Sequence, residues 1–195
     1  MTVFVGLTGG IGAGKSTALT ALERLGAQVL STDAVVHELY GSEAVREAVE
    51  AHFGEEVAPG GVVDRGAVAR QAFATEADRR WLEQLLWPMV GERVEAWRER
   101  VSQAQPPVPV AVVEVPLLFE AGLESGFDAT ITVLAPDELR RARAAARAHA
   151  ELDARGARQL SQDEKAARST YVVVNDSDFQ HLEAALSSVL GMLKG

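Results

Sequence analysis

The chain has 195 residues, of which 47% are hydrophobic, a formal net charge of −9 and no cysteine. This length allows one full core with a small insertion but not two ordinary domains, and the absence of cysteine excludes disulfides and thiol chemistry. The negative charge argues against nucleic-acid binding, no apolar run reaches the length of a membrane span, and the first strand begins without a basic leader. We therefore expect a cytoplasmic protein with neither nucleic-acid nor membrane partners.

The first predicted element is an apolar strand that runs into a glycine-rich turn. Gly9, Gly14, Lys15 and Ser16 have the spacing G-x-x-x-x-G-K-S/T of a phosphate-binding loop. Glycine lets main-chain N–H groups turn inward around phosphate oxygens, and the helix that begins near Lys15 adds the positive end of its dipole. Lys15 can reach β- and γ-phosphates, and the Ser16 hydroxyl suits a nucleotide-borne Mg²⁺ ion. The residues predicted to bind the triphosphate are Gly10, Ile11, Gly12, Ala13, Gly14, Lys15, Ser16 and Thr17.

A second short strand over residues 27–30 ends shortly before Asp33. Because ligands of parallel α/β sheets bind beyond the carboxyl ends of the strands, Asp33 is expected to open onto the same crevice as the phosphate loop. The alternative is that Asp33 caps the helix that begins at Ala34.

Residues 34–105 have a helical pattern that is longer than a crossover between two strands needs. Arg65 lies near the start of one predicted helix, and Thr75 with Asp78 resembles a capping box before a long helical segment. Pro88 is expected to kink or divide that segment. We interpret residues 34–105 as a helical insertion that accepts the second substrate.

The third strand, over residues 110–115, is a nearly unbroken apolar run typical of a central parallel strand. Glu114 interrupts this run near its carboxyl end, where a buried carboxylate needs a positive or hydrogen-bonding partner. We expect that partner to be Mg²⁺ beside the phosphate loop, with Ser16 as the other protein ligand. Pairing of Glu114 with a buried arginine is the alternative.

An arginine-rich helix follows a fourth strand. It carries Arg140, Arg141, Arg143 and Arg147, of which Arg143 and Arg147 are one i,i+4 step apart and share a face. We expect Arg143 or Arg147 to meet the transferred phosphoryl group from a lid over residues 143–158. The alternative is a solvated helix face that balances an acidic protein.

The remaining strands complete the predicted fold. Residues 129–134 form the fourth strand and residues 171–175 the fifth, before an amphipathic closing helix. Five strands separated by helices predict an α/β fold: a three-layer, doubly wound, parallel five-stranded sheet in a single domain over residues 1–195. The order 2-3-1-4-5 would be usual for nucleoside-type kinases, although the sequence does not fix it.

Six motifs occur along the chain in a fixed order: T-G-G-I-G-A-G-K-S-T at 8–17, Asp33, H-F-G at 52–54, L-L-W-P at 85–88, V-P-L-L-F-E at 115–120 and V-N-D at 174–176. Together they resemble the dephospho-CoA kinase family nearly end to end. The resemblance implies transfer of the γ-phosphoryl group of ATP to the 3′-hydroxyl of dephospho-CoA, with Mg²⁺, in the last step of coenzyme A synthesis.

The resemblance also implies a role for individual residues. Asp33 would accept the hydroxyl proton or orient the hydroxyl, while Lys15 and a lid arginine stabilise the developing charge. The loop near Asn175 would lie against the adenine of ATP. The residues expected to contact dephospho-CoA are Thr8, Asp33, His37, Arg65, Leu117 and Phe119. Packing of Phe119 under the sheet is the alternative for that residue, and we expect a monomer or a weak homo-oligomer.

Two other functions stay open from the sequence. One is a nucleoside monophosphate or metabolite kinase of the same fold. The other is a nucleotide-dependent switch or regulatory ATPase, although the N-K-x-D element that guanine-selective switches carry does not occur in the chain. The three tryptophans, Trp81, Trp87 and Trp97, are expected to lie in the core or between helices.

Overall fold

The computed structural model describes residues 1–147 and 159–194, which form a parallel sheet with helices on both faces. The strands are β1 (Val3–Gly9), β2 (Gln28–Ser31), β3 (Val110–Glu114), β4 (Ala129–Leu134) and β5 (Tyr171–Val174). The helices are α1 (Lys15–Arg24), α2 (Thr32–Leu39), α3 (Glu43–Phe53), α4 (Arg65–Ala72), α5 (Glu76–Ser102), α6 (Asp137–Arg147), α7 (Gln162–Arg168) and α8 (Phe179–Lys194). Short 3₁₀ turns occupy Glu55–Val57, Pro59–Gly61 and Glu124–Gly126. Most of the predicted lid, residues 148–158, lies outside the described residues.

The sheet has the order β2-β3-β1-β4-β5, and all neighbouring strands are parallel. The predicted doubly wound α/β class with a parallel five-stranded sheet is therefore confirmed. In the register of the sheet, Glu114 at the end of β3 lies opposite Leu7 of β1 on one side and Ser31 of β2 on the other. The carboxyl ends of these three strands consequently reach the same edge, where β1 continues into the phosphate loop.

Helices α1 and α8 cover one face of the sheet. Their apolar side chains pack on alternate residues of the strands, because successive strand residues point to opposite faces. Burial of each large aliphatic side chain in such a core contributes about 1.5–3 kcal/mol to stability. The buried residues of this face include Val5, Leu7, Leu22, Val112, Ile131, Val133, Leu182 and Leu186.

The other face of the sheet is covered by the end of α5, the loop after β3 and α7. Trp97 packs edge-on against Phe4 with ring centroids 6.4 Å apart. Gly6 of β1 is needed here, since a Cβ atom at this position would lie 3.0 Å from Leu118 and 3.1 Å from Phe127. The chain therefore has the three layers predicted for it.

The chain divides into two compact units. One comprises the described residues up to Ser31 and from Trp97 onwards, and the other is Thr32–Ala96. The second unit consists of α2, α3, α4 and most of α5, and its buried residues include Val35, Leu39, Val45, Val49, Val68 and Leu86.

Helix α5 is continuous over 27 residues with Pro88 inside it. Of the two expectations for Pro88, division of the segment was therefore wrong, and a kink stays a prediction. A proline removes one main-chain hydrogen bond and crowds the carbonyl four residues earlier. Long helical stretches on both sides of Pro88 keep their own ladders of hydrogen bonds, so the loss at one position does not end the helix. Thr75 caps the helix as predicted, because its hydroxyl accepts the Asp78 N–H at 3.1 Å.

The tryptophans of α5 differ in their environments. Trp97 is buried, and Trp81 stacks on His52 with ring centroids 3.8 Å apart. Trp87 is 53% exposed, so the expectation that it packs in the core or between helices was wrong. Among the described residues, no helix is both long and apolar enough to cross a membrane.

Candidate active site

The phosphate loop joins β1 to α1 by a glycine-dependent backbone. Gly12 and Gly14 have φ values of +75° and +96°, which side chains of other residues adopt only with strain. Gly14 is the N-cap of α1 and offers no side-chain acceptor to the first N–H groups of the helix. Helix α1 thus begins directly at the end of the loop, the arrangement in which helix N-termini bind anions. A Cβ atom at Gly14 would also collide with the side-chain amide of Asn175.

Lys15 folds its side chain back over the loop. Its Nζ donates hydrogen bonds to the carbonyl oxygens of Gly9 at 3.0 Å and Gly10 at 3.3 Å. The ammonium group is thereby held beside the loop that the sequence predicts to bind a triphosphate. A lysine in this place supplies a point charge to the β- and γ-phosphates of a nucleotide.

Helix α6 places two arginines against the loop. Arg140 donates from Nε to the Ile11 carbonyl at 3.0 Å and is paired with Asp137 at 2.9 Å. Arg143 lies with Nη1 3.5 Å from the carbonyl oxygens of both Gly12 and Asn175. Arg147 is the last residue of α6, and its side chain lies outside the part of the chain that the structure describes.

The contact of Arg140 was missed from the sequence. Arg143 and Arg147 were predicted because they share a helix face, whereas the structure brings Arg140 and Arg143, three residues apart, to the loop. Residues spaced by three or by four both share a face of a helix. The spacing of the arginines alone therefore left the choice open.

Asn175 follows β5 and closes the loop from the side. It is 6% exposed, and its Nδ2 donates to the Ala13 carbonyl at 2.9 Å. A cavity of about 190 Å³ begins here. It is lined by Gly12, Gly14, Thr17, Arg143, Asn175, Ser177 and Phe179.

Two further residues at the loop were also missed. The Ile11 N–H donates to Gln159 Oε1 at 3.1 Å. The main-chain N–H and carbonyl of Ile11 are therefore both bonded by side chains from outside the loop, Gln159 and Arg140. Lys165 is fully buried and pairs with Glu120 at 2.8 Å. Burial lowers the pKa of Lys165, and the hydrogen bond that Lys165 donates to Glu120 acts in the opposite direction. Gln159 stands in no motif, and Lys165 lies in a charged stretch that is typical of a solvated helix.

Three residues predicted to contact the acceptor lie on the sheet unit. Thr8 is fully buried, donates to the Pro116 carbonyl at 3.3 Å and accepts from Lys165 at 3.4 Å. Phe119 is 2% exposed, and the Arg168 guanidinium carbon lies 4.9 Å from the centre of its ring. Leu117 is partly exposed. The contacts of Phe119 agree with the packing alternative, and the acceptor role of all three residues stays a prediction.

The other predicted acceptor residues lie on the helical unit. Asp33 is exposed in the first turn of α2, which begins directly after β2. His37 stands in the last turn of the same helix, and its Nδ1 accepts a hydrogen bond from Arg65 at the start of α4. The structure thus brings His37 and Arg65 together. The opening of Asp33 onto the phosphate-loop crevice stays a prediction.

The predicted ligands of Mg²⁺ are Ser16 and Glu114. Glu114 is 6% exposed at the end of β3, and Ser16 is exposed in the first turn of α1. Within residues 1–147 and 159–194 there is no cluster of three His, Cys, Asp or Glu side chains that could hold a metal ion alone. One carboxylate and one hydroxyl fit Mg²⁺, which usually keeps several waters and binds through few protein groups together with substrate phosphates.

The parallel sheet has the order 2-3-1-4-5, and a glycine-rich phosphate loop follows β1. A lysine and arginines surround that loop. These features define a kinase of the P-loop class. A shikimate kinase from Acinetobacter baumannii shares this fold, with a TM-score of 0.55 at 13% identity over 98% of this chain and 95% of that one.

Comparison with protein families identifies the family within this class of kinases. The family model described as dephospho-CoA kinase matches residues 3–181. The dephospho-CoA kinase of Deinococcus radiodurans is 41% identical over 194 residues, which is 97% of this chain and 92% of that protein. That of Anaeromyxobacter dehalogenans is 38% identical over 196 residues, covering 98% and 92%. The chain belongs to the dephospho-CoA kinase family, and the resemblance seen in its motifs is confirmed.

Solved structures agree with the fold. A crystal structure of a Thermus thermophilus protein has a TM-score of 0.81 at 35% identity and covers 100% of this chain and 99% of that one. Dephospho-CoA kinase from Campylobacter jejuni has a TM-score of 0.66 over 100% of this chain and 99% of that one, and at 20% identity it supports the fold.

Proposed function

We propose that this protein transfers the γ-phosphoryl group of ATP to the 3′-hydroxyl of dephospho-CoA and so produces coenzyme A and ADP. The observation that carries this proposal is the match of residues 3–181 to the dephospho-CoA kinase family. The phosphate loop, with Lys15 held over it and Arg140 and Arg143 beside it, supports the same chemistry.

The transfer is an in-line displacement at phosphorus. The 3′-oxygen of the acceptor bonds to the γ-phosphorus, the bond from that phosphorus to the bridging oxygen breaks, and ADP leaves with that oxygen. We assign Asp33 as the group that orients the hydroxyl and takes its proton. Lys15 and Arg143 or Arg147 meet the negative charge that develops on the equatorial oxygens, since phosphoryl transfer depends on positioning and electrostatic stabilisation.

Ser16 and Glu114 are the residues that would hold Mg²⁺ with its nucleotide. When bound, the ion neutralises charge on the β- and γ-phosphates. The carboxylate would come from the buried Glu114 at the carboxyl end of β3. The hydroxyl would come from Ser16 in the first turn of α1. The donor set fits an ion that arrives with the nucleotide.

The two substrates are assigned to different parts of the chain. The cavity beside Asn175 and Phe179 is the proposed place of the adenine ring, because it opens next to the phosphate loop and has an aromatic residue in its wall. The helical unit Thr32–Ala96 is the proposed acceptor site, where Arg65 and His37 form a polar pair at the ends of two helices. An arginine on such a surface suits the phosphates of dephospho-CoA.

A coupled assay of ADP release tests the proposal. We expect turnover with dephospho-CoA and none above background with adenosine, AMP, shikimate or gluconate, and a new 3′-phosphate in the product by ³¹P NMR. Lys15→Ala serves as the control for contaminating kinases and should lose at least about 100-fold in kcat. Selective turnover of another acceptor, or ATP hydrolysis that needs no acceptor, would overturn the assignment.

A further inference from the structure

Helix α7 buries a lysine completely. Lys165 is fully inaccessible and is the largest of the fully buried side chains among the described residues. The removal of an ammonium group from water is costly, and hydrogen bonds to the protein must offset that cost. Nζ of Lys165 donates to Glu120, to the Pro116 carbonyl at 3.2 Å and to Thr8 Oγ1 at 3.4 Å. Its three donors are therefore all used.

The partners of Lys165 stand beside the phosphate loop. Thr8 directly precedes Gly9, where the loop begins, and Pro116 follows Glu114 by two residues in the loop after β3. One ammonium group thus connects α7 to the carboxyl ends of the two central strands. The bonds that satisfy this buried ammonium group therefore also attach α7 to the chain on both sides of the phosphate-loop edge.

Glu120 carries the connection further. Besides its pairing with Lys165, its Oε1 accepts the Leu160 N–H at 2.8 Å. Gln159, the preceding residue, is the one whose side chain accepts the N–H of Ile11 in the phosphate loop. The position of Gln159 at the loop therefore depends on the bond that Glu120 makes with its neighbour.

We propose that the Lys165–Glu120 pair positions the phosphate loop for ATP, by holding residues 159–160 so that Gln159 fixes the Ile11 peptide. The inference rests on the proposed function, but it concerns the nucleotide half of the site alone. Lys165, Glu120 and Gln159 are positioning residues, since the loop itself contacts the phosphates.

A purely structural role predicts a different behaviour on replacement. A buried ion pair can often be replaced by apolar residues of similar volume with no loss of stability, because the desolvation cost disappears with the charges. If the pair only joins α7 to the sheet, the double variant Glu120→Leu/Lys165→Met should keep both stability and ATP affinity. If the pair positions the loop, the double variant should keep its stability but bind ATP more weakly.

The test is the Kd for Mg-ATP by titration calorimetry in the absence of acceptor, together with the Tm. We expect the double variant to keep a Tm within about 5 °C of the wild type. Its Kd for ATP should rise about fivefold, which is the size expected for the loss of one hydrogen bond. Gln159→Ala should give the same rise with an unchanged Tm. Added to the double variant, Gln159→Ala should raise the Kd no further, because both changes release the same contact.

Ser169→Ala is the matched control. It removes a hydroxyl that bonds the Lys165 carbonyl at 2.8 Å at the far end of α7, and it should lower the Tm without changing the Kd. An unchanged Kd in Gln159→Ala would overturn the proposal even if the double variant fails to fold. The proposal would also be overturned if Gln159→Ala raised the Kd of the double variant further. A Kd that rises in Ser169→Ala as its Tm falls would overturn it as well. Because no acceptor is present, failure of the proposed transfer reaction cannot mimic these results.

Discussion

Asp33 is the residue whose proposed role is most directly testable. Replacement by Asn keeps the size and hydrogen-bonding capacity of the side chain but removes the carboxylate that would accept a proton. We expect Asp33→Asn to bind ATP as the wild type does and to lose about 10²- to 10⁴-fold in kcat, the range that a general base contributes. Steady-state kinetics with dephospho-CoA, combined with calorimetric titration of ATP, measure the two effects separately.

Glu38→Gln is the control for this prediction. Glu38 is an exposed carboxylate in the same helix α2, so its replacement changes the net charge equally. Its kcat should stay within about twofold of the wild type, as expected for an exposed surface change. Because α2 begins at Thr32, Asp33 lies inside the first turn and not at the cap before Ala34. Wild-type turnover in Asp33→Asn, with a lowered Tm, would instead limit Asp33 to a favourable charge at the positive end of the α2 dipole.

Single residues of the site were predictable from the sequence where the chemistry is local. The phosphate loop depends on glycines and a lysine within the seven positions 9–15, and the structure gives Gly12 and Gly14 positive φ values. Lys165 was not predictable. Its neighbours in the chain are polar, and it is buried only because Glu120, 45 positions earlier, comes to it through the fold.

Helix α6 provides the first prediction about an element. Arg140 and Arg141 are adjacent on α6, but Arg140 faces the phosphate loop and Arg141 is exposed. We expect Arg140→Ala to raise the KM for ATP about tenfold, because the Ile11 carbonyl loses a charge-assisted hydrogen bond. Arg141→Ala removes the same charge and should change KM by less than about twofold. Equal effects of the two variants in a kinetic assay would show that α6 acts through its overall charge.

Helix α7 provides a prediction about pH. Glu164 closes a capping box, in which its Oε2 accepts from the Ser161 N–H at 2.8 Å and the Ser161 hydroxyl at 2.7 Å. These two bonds hold the pKa of Glu164 below its ordinary value. A carboxyl group whose pKa is lower in the folded than in the unfolded state stabilises the fold at pH values above its unfolded pKa. That contribution is lost as the pH falls through the folded pKa.

The measurement is the Tm as a function of pH. We expect Glu164→Gln to lower the Tm at about pH 7. This difference should shrink as the pH falls through the lowered pKa of Glu164, because protonation removes the carboxylate from the wild type as well. Asp163→Asn removes a carboxylate from the same first turn of α7, outside the capping box. Its difference from the wild type should be smaller at neutral pH. A pH-independent difference for Glu164→Gln would contradict the assigned role of the carboxylate.

Whole elements were predicted well where hydrophobic pattern decides them. All five strands are short apolar runs that end in polar or glycine-rich turns, and a parallel sheet buries such runs on both faces. The sequence was less informative within α5, where the effect of Pro88 depends on how much helix surrounds it. The prediction for Trp87 was wrong for a related reason. The sequence of a long helix does not say which side of it will be covered by the rest of the fold, and Trp87 lies on an exposed side.

At the scale of the whole molecule, the chain separates a sheet unit from the helical unit Thr32–Ala96. The sheet unit contains the phosphate loop together with five side chains that form hydrogen bonds with its main chain: Lys15, Arg140, Arg143, Gln159 and Asn175. The helical unit contains Asp33, His37 and Arg65. This distribution supports the proposed assignment of the nucleotide to one unit and the acceptor to the other.

Hydrogen exchange tests this division. A ligand that binds only the folded site lowers the rate of local opening around it, so bound segments exchange more slowly. We expect a non-hydrolysable ATP analogue with Mg²⁺ to protect the peptides that contain residues 9–17. Dephospho-CoA alone should protect peptides within residues 32–96. Arg65→Ala should abolish the second protection and leave the first unchanged, because Arg65 lies on the helical unit. Protection of residues 32–96 by the ATP analogue alone, equal to that by dephospho-CoA, would contradict separate sites for the two substrates.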